Sequence, residues 1–221
     1  MEEGVPTSPD RDRAGDRAPR WLAITALVLS VVVLVVGGVV VATLLRGRAA
    51  TTSGDARIQI LEQAVDARPE DVTSRRLLAF AYQQAGLNKQ ALKQYEEVLE
   101  SEPQDQGALY NSGLLYLAAG KDRKGQERLT ELLRLAPSHT LAAKALAQSY
   151  AENEEYERVI DVALPAANAH PELADLQYLA GLGLERTGDS IAAKKRYERA
   201  LKLVPEMSEA QDGLERVEGA Q

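Results

Sequence analysis

The sequence predicts an all-α protein in which one membrane-spanning helix precedes a superhelical solenoid of stacked helical hairpins. Three observations predict this fold class. Residues 21–45 carry no charge, and five prolines recur at intervals of 34 residues. The apolar content comes mainly from Ala, Leu and Val, and only 5% of the residues are aromatic. This composition suits helices better than a sandwich or a barrel.

The uncharged segment is long enough to cross a bilayer. Its 25 residues exceed the roughly 20 that a helix needs for a hydrocarbon core of about 30 Å. A helix also satisfies its own backbone groups in lipid, and Trp21 lies at the edge, where the interface favours its ring. A cleaved signal peptide has a shorter apolar stretch, of about 7–15 residues. We therefore expect an uncleaved anchor between a short disordered tail (1–20) and a linker (46–54).

The arginines that flank this segment predict its orientation. They are Arg11, Arg13, Arg17 and Arg20 before it, and Arg46, Arg48 and Arg57 after it. The excess on the N-terminal side favours a cytoplasmic N-terminus and an extracytoplasmic C-terminal domain in the cell (inner) membrane. Gly38 and Ala42 lie four residues apart, a spacing that lets two membrane helices approach closely. A homodimer through this face remains open.

A repeat of 34 residues organises the rest of the chain. It is marked by Pro69, Pro103, Pro137, Pro171 and Pro205. A glycine precedes three of these prolines by 17 residues, at Gly86, Gly120 and Gly188, and Glu154 occupies this column in the third copy. A glycine before the second helix supplies a turn with positive φ. Such a period predicts stacked hairpins, because one copy alone cannot bury its apolar face.

Further columns follow the same period. Tyr82, Tyr116 and Tyr150 share one of them, and small residues share another. Together these columns resemble the tetratricopeptide repeat, although the first-helix Trp of that pattern is absent. The resemblance implies an array over residues 55–221, with a half repeat, four full repeats and a polar capping helix. The full repeats are 72–105, 106–139, 140–173 and 174–207, and the cap is 208–217.

The third copy departs from the pattern at Pro165, which falls inside its second helix. Proline there removes one backbone hydrogen bond and clashes with the carbonyl of Asp161. The sequence leaves open whether Pro165 is a tolerated kink or a hinge.

No catalytic or metal-binding pattern is present, so we expect no enzyme activity, cofactor, metal or small-molecule substrate. The chain has no cysteine, and its net charge of −7 argues against nucleic acid. His139 and His170 have no partner at ligand spacing, and we expect both to be exposed turn residues. The acidic run around Glu154 lacks the alternation of a calcium loop. Gly181, Gly183 and Gly188 lack the spacing of a dinucleotide loop.

The resemblance implies that the first helices of the repeats line a concave groove for protein or peptide partners. Repeat positions 2, 5, 9 and 12 face this groove in the family. Here the clamp that binds a terminal carboxylate in chaperone-binding members is broken by Phe80, Leu141 and Ala145, so we expect apolar anchoring instead. The predicted groove residues are Arg76, Phe80, Gln83, Tyr110, Asn111, Leu114, Leu117, Lys144, Gln148, Tyr178, Leu182 and Glu185.

The predicted function is that of a membrane-anchored scaffold or adaptor that holds protein partners beside the bilayer. The layout resembles bacterial cytochrome c biogenesis factors and the ancillary subunit of the secretion translocon. It therefore implies a role in assembly or export of extracytoplasmic proteins such as c-type cytochromes. Two alternatives stay open: a permanent structural subunit of a large membrane complex, and an organelle import receptor with a cytosolic array.

Overall fold

The computed structural model describes residues 54–219, and these residues form an all-α solenoid. The predicted tail, membrane span and most of the linker lie outside the described residues. Short turns join the helices. The helices are α1 (54–67), α2 (Val72–Gln84), α3 (Asn88–Ser101), α4 (Gln106–Ala118), α5 (Asp122–Leu135), α6 (Thr140–Glu152), α7 (Tyr156–Ala169), α8 (Ala174–Arg186), α9 (Ser190–Leu203) and α10 (Ser208–Gly219).

The helices repeat with the period of the prolines. The first helices α2, α4, α6 and α8 begin 34 residues apart, and α10 begins one further period along. Each first helix packs against the second helix of its own hairpin, and α4, α6, α8 and α10 also pack against the second helix that precedes them. We number repeat positions from the first residue of each copy, so that Val72 is position 1. The expected all-α solenoid is confirmed within the described residues.

The turn inside each hairpin depends on one residue with positive φ. Gly86, Gly120 and Gly188 have φ of 73°, 67° and 95°. In the third copy Glu154 holds the same conformation, with φ of 59°. Glycine enters this region freely, whereas a residue with a Cβ is strained there. The third copy therefore keeps the turn with a less suitable residue.

The core is a continuous apolar strip rather than a sphere. One cluster runs from α2 to α8, and alanines such as Ala79, Ala91 and Ala147 are fully buried in it. A second cluster joins α8, α9 and α10 around Tyr197. Small side chains let paired helices approach, so that larger residues can fill the space between hairpins. The capping helix α10 buries Ala210 and Val217 and leaves most of its polar residues exposed.

Helix α7 runs without a break from Tyr156 to Ala169 and contains Pro165. No helix in residues 54–219 is both long and apolar enough to cross a membrane.

Candidate protein-binding surface

Residues at repeat position 5, which the sequence assigned to the groove, connect three of the first helices to the next copy. Arg76 on α2 pairs with Asp105, the N-cap of α4. One period later, the rings of Tyr110 and His139 lie 5.2 Å apart. Lys144 pairs with Asp175 in the first turn of α8. These side chains therefore stabilise the stacking of the array, and their cationic groups already have carboxylate partners.

His139 is not the exposed turn residue that the sequence predicted. It is half-buried at the N-cap of α6, where its Nδ1 accepts a hydrogen bond of 3.1 Å from the backbone N–H of Ala142. Asp71 and Asp105 cap α2 and α4 in the same way, whereas Leu173 at the start of α8 makes no side-chain cap. Within residues 54–219, no cluster of His, Asp and Glu could hold a metal ion.

Position 12 mainly faces the second helix of the same repeat. The hydroxyl of Tyr95 donates to Gln83 at 2.9 Å, and Tyr197 donates to Glu185 in the equivalent place of the fourth repeat. Arg216 of α10 also donates to Glu185, at 2.7 Å. These contacts fix Gln83 and Glu185 inside the array, and neither side chain is fully accessible to a partner. The sequence does contain the signal, because both polar residues precede a tyrosine by 12 positions.

Burial and the neighbouring charged groups shift the pKa values of these residues. Burial raises the pKa of Tyr95 to about 12. Burial and the neighbouring Glu185 both raise the pKa of Tyr197. Burial alone would raise the pKa of Glu185, but the hydrogen bonds from Arg216 and Tyr197 outweigh it and hold the pKa below the usual value. All three groups keep their ordinary charge at neutral pH, which suits a structural role.

Position 9 forms the most accessible part of the predicted groove. Phe80 is 41% exposed, Gln148 is exposed, and Leu114 and Leu182 are half-buried. These four residues, one from each first helix, are called the position-9 stripe here. Asn111 is half-buried beside it, and its side-chain amide donates to the carbonyl of Gly107 at 2.8 Å.

The remaining predicted groove residues contribute to the core. Leu117 and Tyr178 are half-buried and pack against the apolar strip. The ring of Tyr178 lies 6.1 Å from that of Tyr197, and burial raises its pKa.

Two exposed apolar residues of the first helices are absent from the predicted set. Leu77 is 42% exposed, and Leu141 is 58% exposed. Leu141 occupies position 2, which the resemblance names as a groove position. Leu77 occupies position 6, which carries no such signal.

Comparison with known proteins agrees with this geometry. The tetratricopeptide repeat family model matches residues 49–112. Residues 49–112 are therefore similar to a tetratricopeptide repeat. In the structure, first helices continue to begin every 34 residues beyond the matched region, as far as α10. No curated protein matches the sequence.

Several solved structures are similar in fold to this chain. A crystal structure of MamA superposes with a TM-score of 0.65 at 18% identity, over 72% of this chain and 94% of MamA. MamA from Desulfovibrio magneticus RS-1 gives 0.62 at 20% identity, over 68% of this chain and 85% of that one. YrrB, described as a TPR protein with an unusual peptide-binding site, gives 0.66 at 15% identity, over 72% and 82%. Identities this low show the fold alone.

Proposed function

We propose that the chain is a non-catalytic adaptor, anchored in the membrane by residues 21–45, that binds a segment of a protein partner along the position-9 stripe. The observation that carries this proposal is the exposure of Phe80 in line with Leu114 and Leu182. Large apolar side chains at regular spacing on one face of stacked helices offer anchor points to an extended segment or an amphipathic helix.

Apolar contacts should supply most of the affinity. Arg76 and Lys144 flank the stripe, but each already pairs with a carboxylate of the array. A partner that used these cations would have to displace Asp105 or Asp175. The peptide-binding site described for YrrB supports the use of this fold for peptide segments.

The anchored array would hold its partner close to the bilayer. We place the array on the extracytoplasmic side, where it would assist assembly or export of proteins such as c-type cytochromes. With no cysteine in the chain, the adaptor would hold such a client and would not exchange disulfides with it. Gly38 and Ala42 offer a face for homodimerisation of the anchors.

A topology reporter tests the anchor and its orientation. Alkaline phosphatase fused after Gln221 should be active in bacterial cells, because the excess of arginines before residue 21 retains the N-terminus in the cytoplasm. A fusion after Arg20 should be inactive and serves as the control. An inactive fusion after Gln221 would reverse the orientation and favour a cytosolic array.

Polar substitutions in the position-9 stripe test the binding surface. The double variant Phe80→Ser, Leu182→Ser should reduce partner capture at least tenfold, measured by crosslinking mass spectrometry in native membranes. Phe80 is exposed and Leu182 is half-buried, so the helical circular dichroism of the double variant is measured to check that the array still folds.

Ile191→Ser is the matched control, because Ile191 is 68% exposed on a second helix. It should capture partners as the wild type does. Equal capture by the double variant and the control would refute binding at the stripe. A constant stoichiometric set of partners, retained by the double variant, would instead indicate a permanent subunit of a complex.

A further inference from the structure

An apolar cleft lies between the second helices α5 and α7, with α6 beneath it. Its volume is about 680 Å³, within the range of about 300–1,000 Å³ that is common for binding sites. Ala143, Leu146 and Tyr150 of α6 lie at its floor, and Leu133 and Val162 line its walls. This cleft lies outside the position-9 stripe, and the inference from it does not rest on the proposed function.

The equivalent cleft in the first repeat is polar, and one of the protein's own side chains extends across it. That cleft has a volume of about 500 Å³. Arg75, which corresponds to Ala143, reaches across it to Glu97 and to Gln94 at 3.2 Å. Tyr82 also donates to Glu62 of α1 at 2.6 Å. Hydrogen bonds from α2 therefore connect both second helices.

In the second repeat, a leucine and an ion pair close the equivalent place. Leu109 corresponds to Ala143 and is 1% exposed. Arg128 of α5, which corresponds to Val162, pairs with Glu96 of α3 at 2.5 Å. The hydroxyl of Tyr116 donates to the same carboxylate at 3.1 Å.

In the fourth repeat, an amide network closes it. Gln177 corresponds to Ala143 and is fully buried, and its amide donates to the carbonyl of Ala167 at 2.8 Å. Arg196 of α9, which corresponds to Val162, donates to Gln177 at 3.0 Å and to Asn168 of α7 at 2.7 Å.

The third repeat lacks each of these closing groups. Ala143 is too short to fill the cleft, Val162 replaces the bridging arginine, and Thr130 replaces the glutamates that accept from tyrosine. The hydroxyl of Tyr150 instead accepts from Arg158 of its own hairpin at 2.8 Å. Within residues 54–219, the structure shows no hydrogen bond or ion pair between α5 and α7.

We propose that this cleft is a second docking site, which takes one bulky apolar side chain from a segment of a partner polypeptide. The other three repeats show what the place accommodates, because each holds a side chain from repeat position 4. Leu109 is the apolar one of these three fillers, and it is 1% exposed. The replacement of Gln94, Arg128 and Arg196 by Val162 removes the groups that a polar filler would bond.

The charges at the rim favour an uncharged occupant. Arg134 donates two hydrogen bonds to Glu131, at 2.9 and 2.7 Å. Arg158 pairs with Glu155 at 2.7 Å, and its guanidinium carbon lies 4.1 Å from the centre of the Tyr150 ring. Both guanidinium groups therefore already have carboxylate partners, and the carboxylate of Asp161 also lines the cleft, so an anionic partner group would gain little there. Leu, Phe or Trp between uncharged neighbours is the chemistry that fits.

Selection from a phage-displayed library of random 12-residue peptides tests this assignment, with the full-length chain in lipid nanodiscs as the target. The enriched peptides should share one large apolar residue. They should bind the wild type at least tenfold more tightly than Ala143→Leu, which reproduces the filler of the second repeat. A photo-leucine at the shared position should crosslink to α5 or α7.

Val162→Arg restores the bridging residue of the neighbouring repeats at a half-buried position, and it should also weaken binding tenfold. Ala118→Leu, an exposed change of the same size on α4, should leave binding unchanged. Phe80→Ser, Leu182→Ser should leave it unchanged as well, which separates this site from the stripe. Equal binding to all variants, no enrichment, or peptides anchored by charged residues would overturn the proposal. Self-association that Ala143→Leu abolishes would assign the cleft to a second copy and overturn it too.

Discussion

Replacing Tyr197 by alanine is expected to lower the free energy of unfolding by about 3–5 kcal/mol, the range for large buried aromatic residues. The side chain is fully buried. It fills a space that two glycines provide, because a Cβ built at Gly213 would lie 2.5 Å from the ring and one at Gly181 would lie 2.8 Å from it. Alanine would leave a cavity between α8, α9 and α10 that these helices cannot close without losing their contacts. Chemical denaturation followed by circular dichroism measures the effect.

Tyr197→Phe is the control that separates the ring from the hydroxyl. It removes only the hydrogen bond to Glu185, which also accepts from Arg216. A hydrogen bond to a charged group contributes about 1.5–3 kcal/mol, and the bonds from Arg216 that remain should keep the cost near the lower end. If alanine costs no more than phenylalanine, then the hydroxyl holds the C-terminal cap in place, and the ring does not.

The period of the sequence was sufficient to predict the stacked hairpins. The aligned positions of proline, glycine and small residues are enough to identify the repeat. Each of these residue types is required locally, either by the geometry of a turn or by the close packing of two helices. Glu154 shows the strength of this signal, since the turn forms around it with φ of 59° although a glycine suits it better. The conformation is thus imposed by the packing of two whole helices.

The accessibility of the groove residues was harder to predict than the repeat. The family pattern lists the positions of the first helix alone and takes no account of their contacts with the second helix of the hairpin. The partner of Gln83 is Tyr95, and the partner of Glu185 is Tyr197, each in the opposite helix of its hairpin. A hydrogen bond between two helices depends on the residues at two repeat positions, so it cannot be predicted from either position alone. Phe80 differs because it is exposed and its one neighbour on the stripe, Leu114, is apolar.

The cleft between α5 and α7 could not be predicted from any single position. It opens because Ala143, Thr130 and Val162 depart from the other copies together. In the second repeat all three equivalent positions keep the place closed, because Leu109 fills the space and Arg128 pairs with Glu96. The structure shows that these three residues line one cleft, and comparison with the equivalent residues of the other repeats shows that all three differ.

Gly125→Val is expected to destabilise the array by about 3 kcal/mol, the upper part of the usual range for overpacking. Helices α4 and α5 approach most closely at this glycine. A Cβ there would lie 2.6 Å from Leu117 and 2.8 Å from the carbonyl oxygen of Gly113. A side chain can rotate away, whereas the backbone carbonyl can move only with its helix. Thermal and chemical unfolding measure the loss, and Arg123→Val on the exposed face of α5 controls for the helix propensity of valine.

The third repeat indicates how this loss could be reduced. There a valine occupies the equivalent of Gly125, at Val159, and the equivalent of Leu117 is the small residue Ala151. Large and small residues have thus exchanged places between the two helices. Leu117→Ala in the Gly125→Val background should therefore recover about 1–2 kcal/mol relative to the sum of the single changes, as expected for residues in contact. Strict additivity would show that the Gly113 carbonyl alone sets the cost, and that the exchange seen in the third repeat depends on a different spacing of its helices.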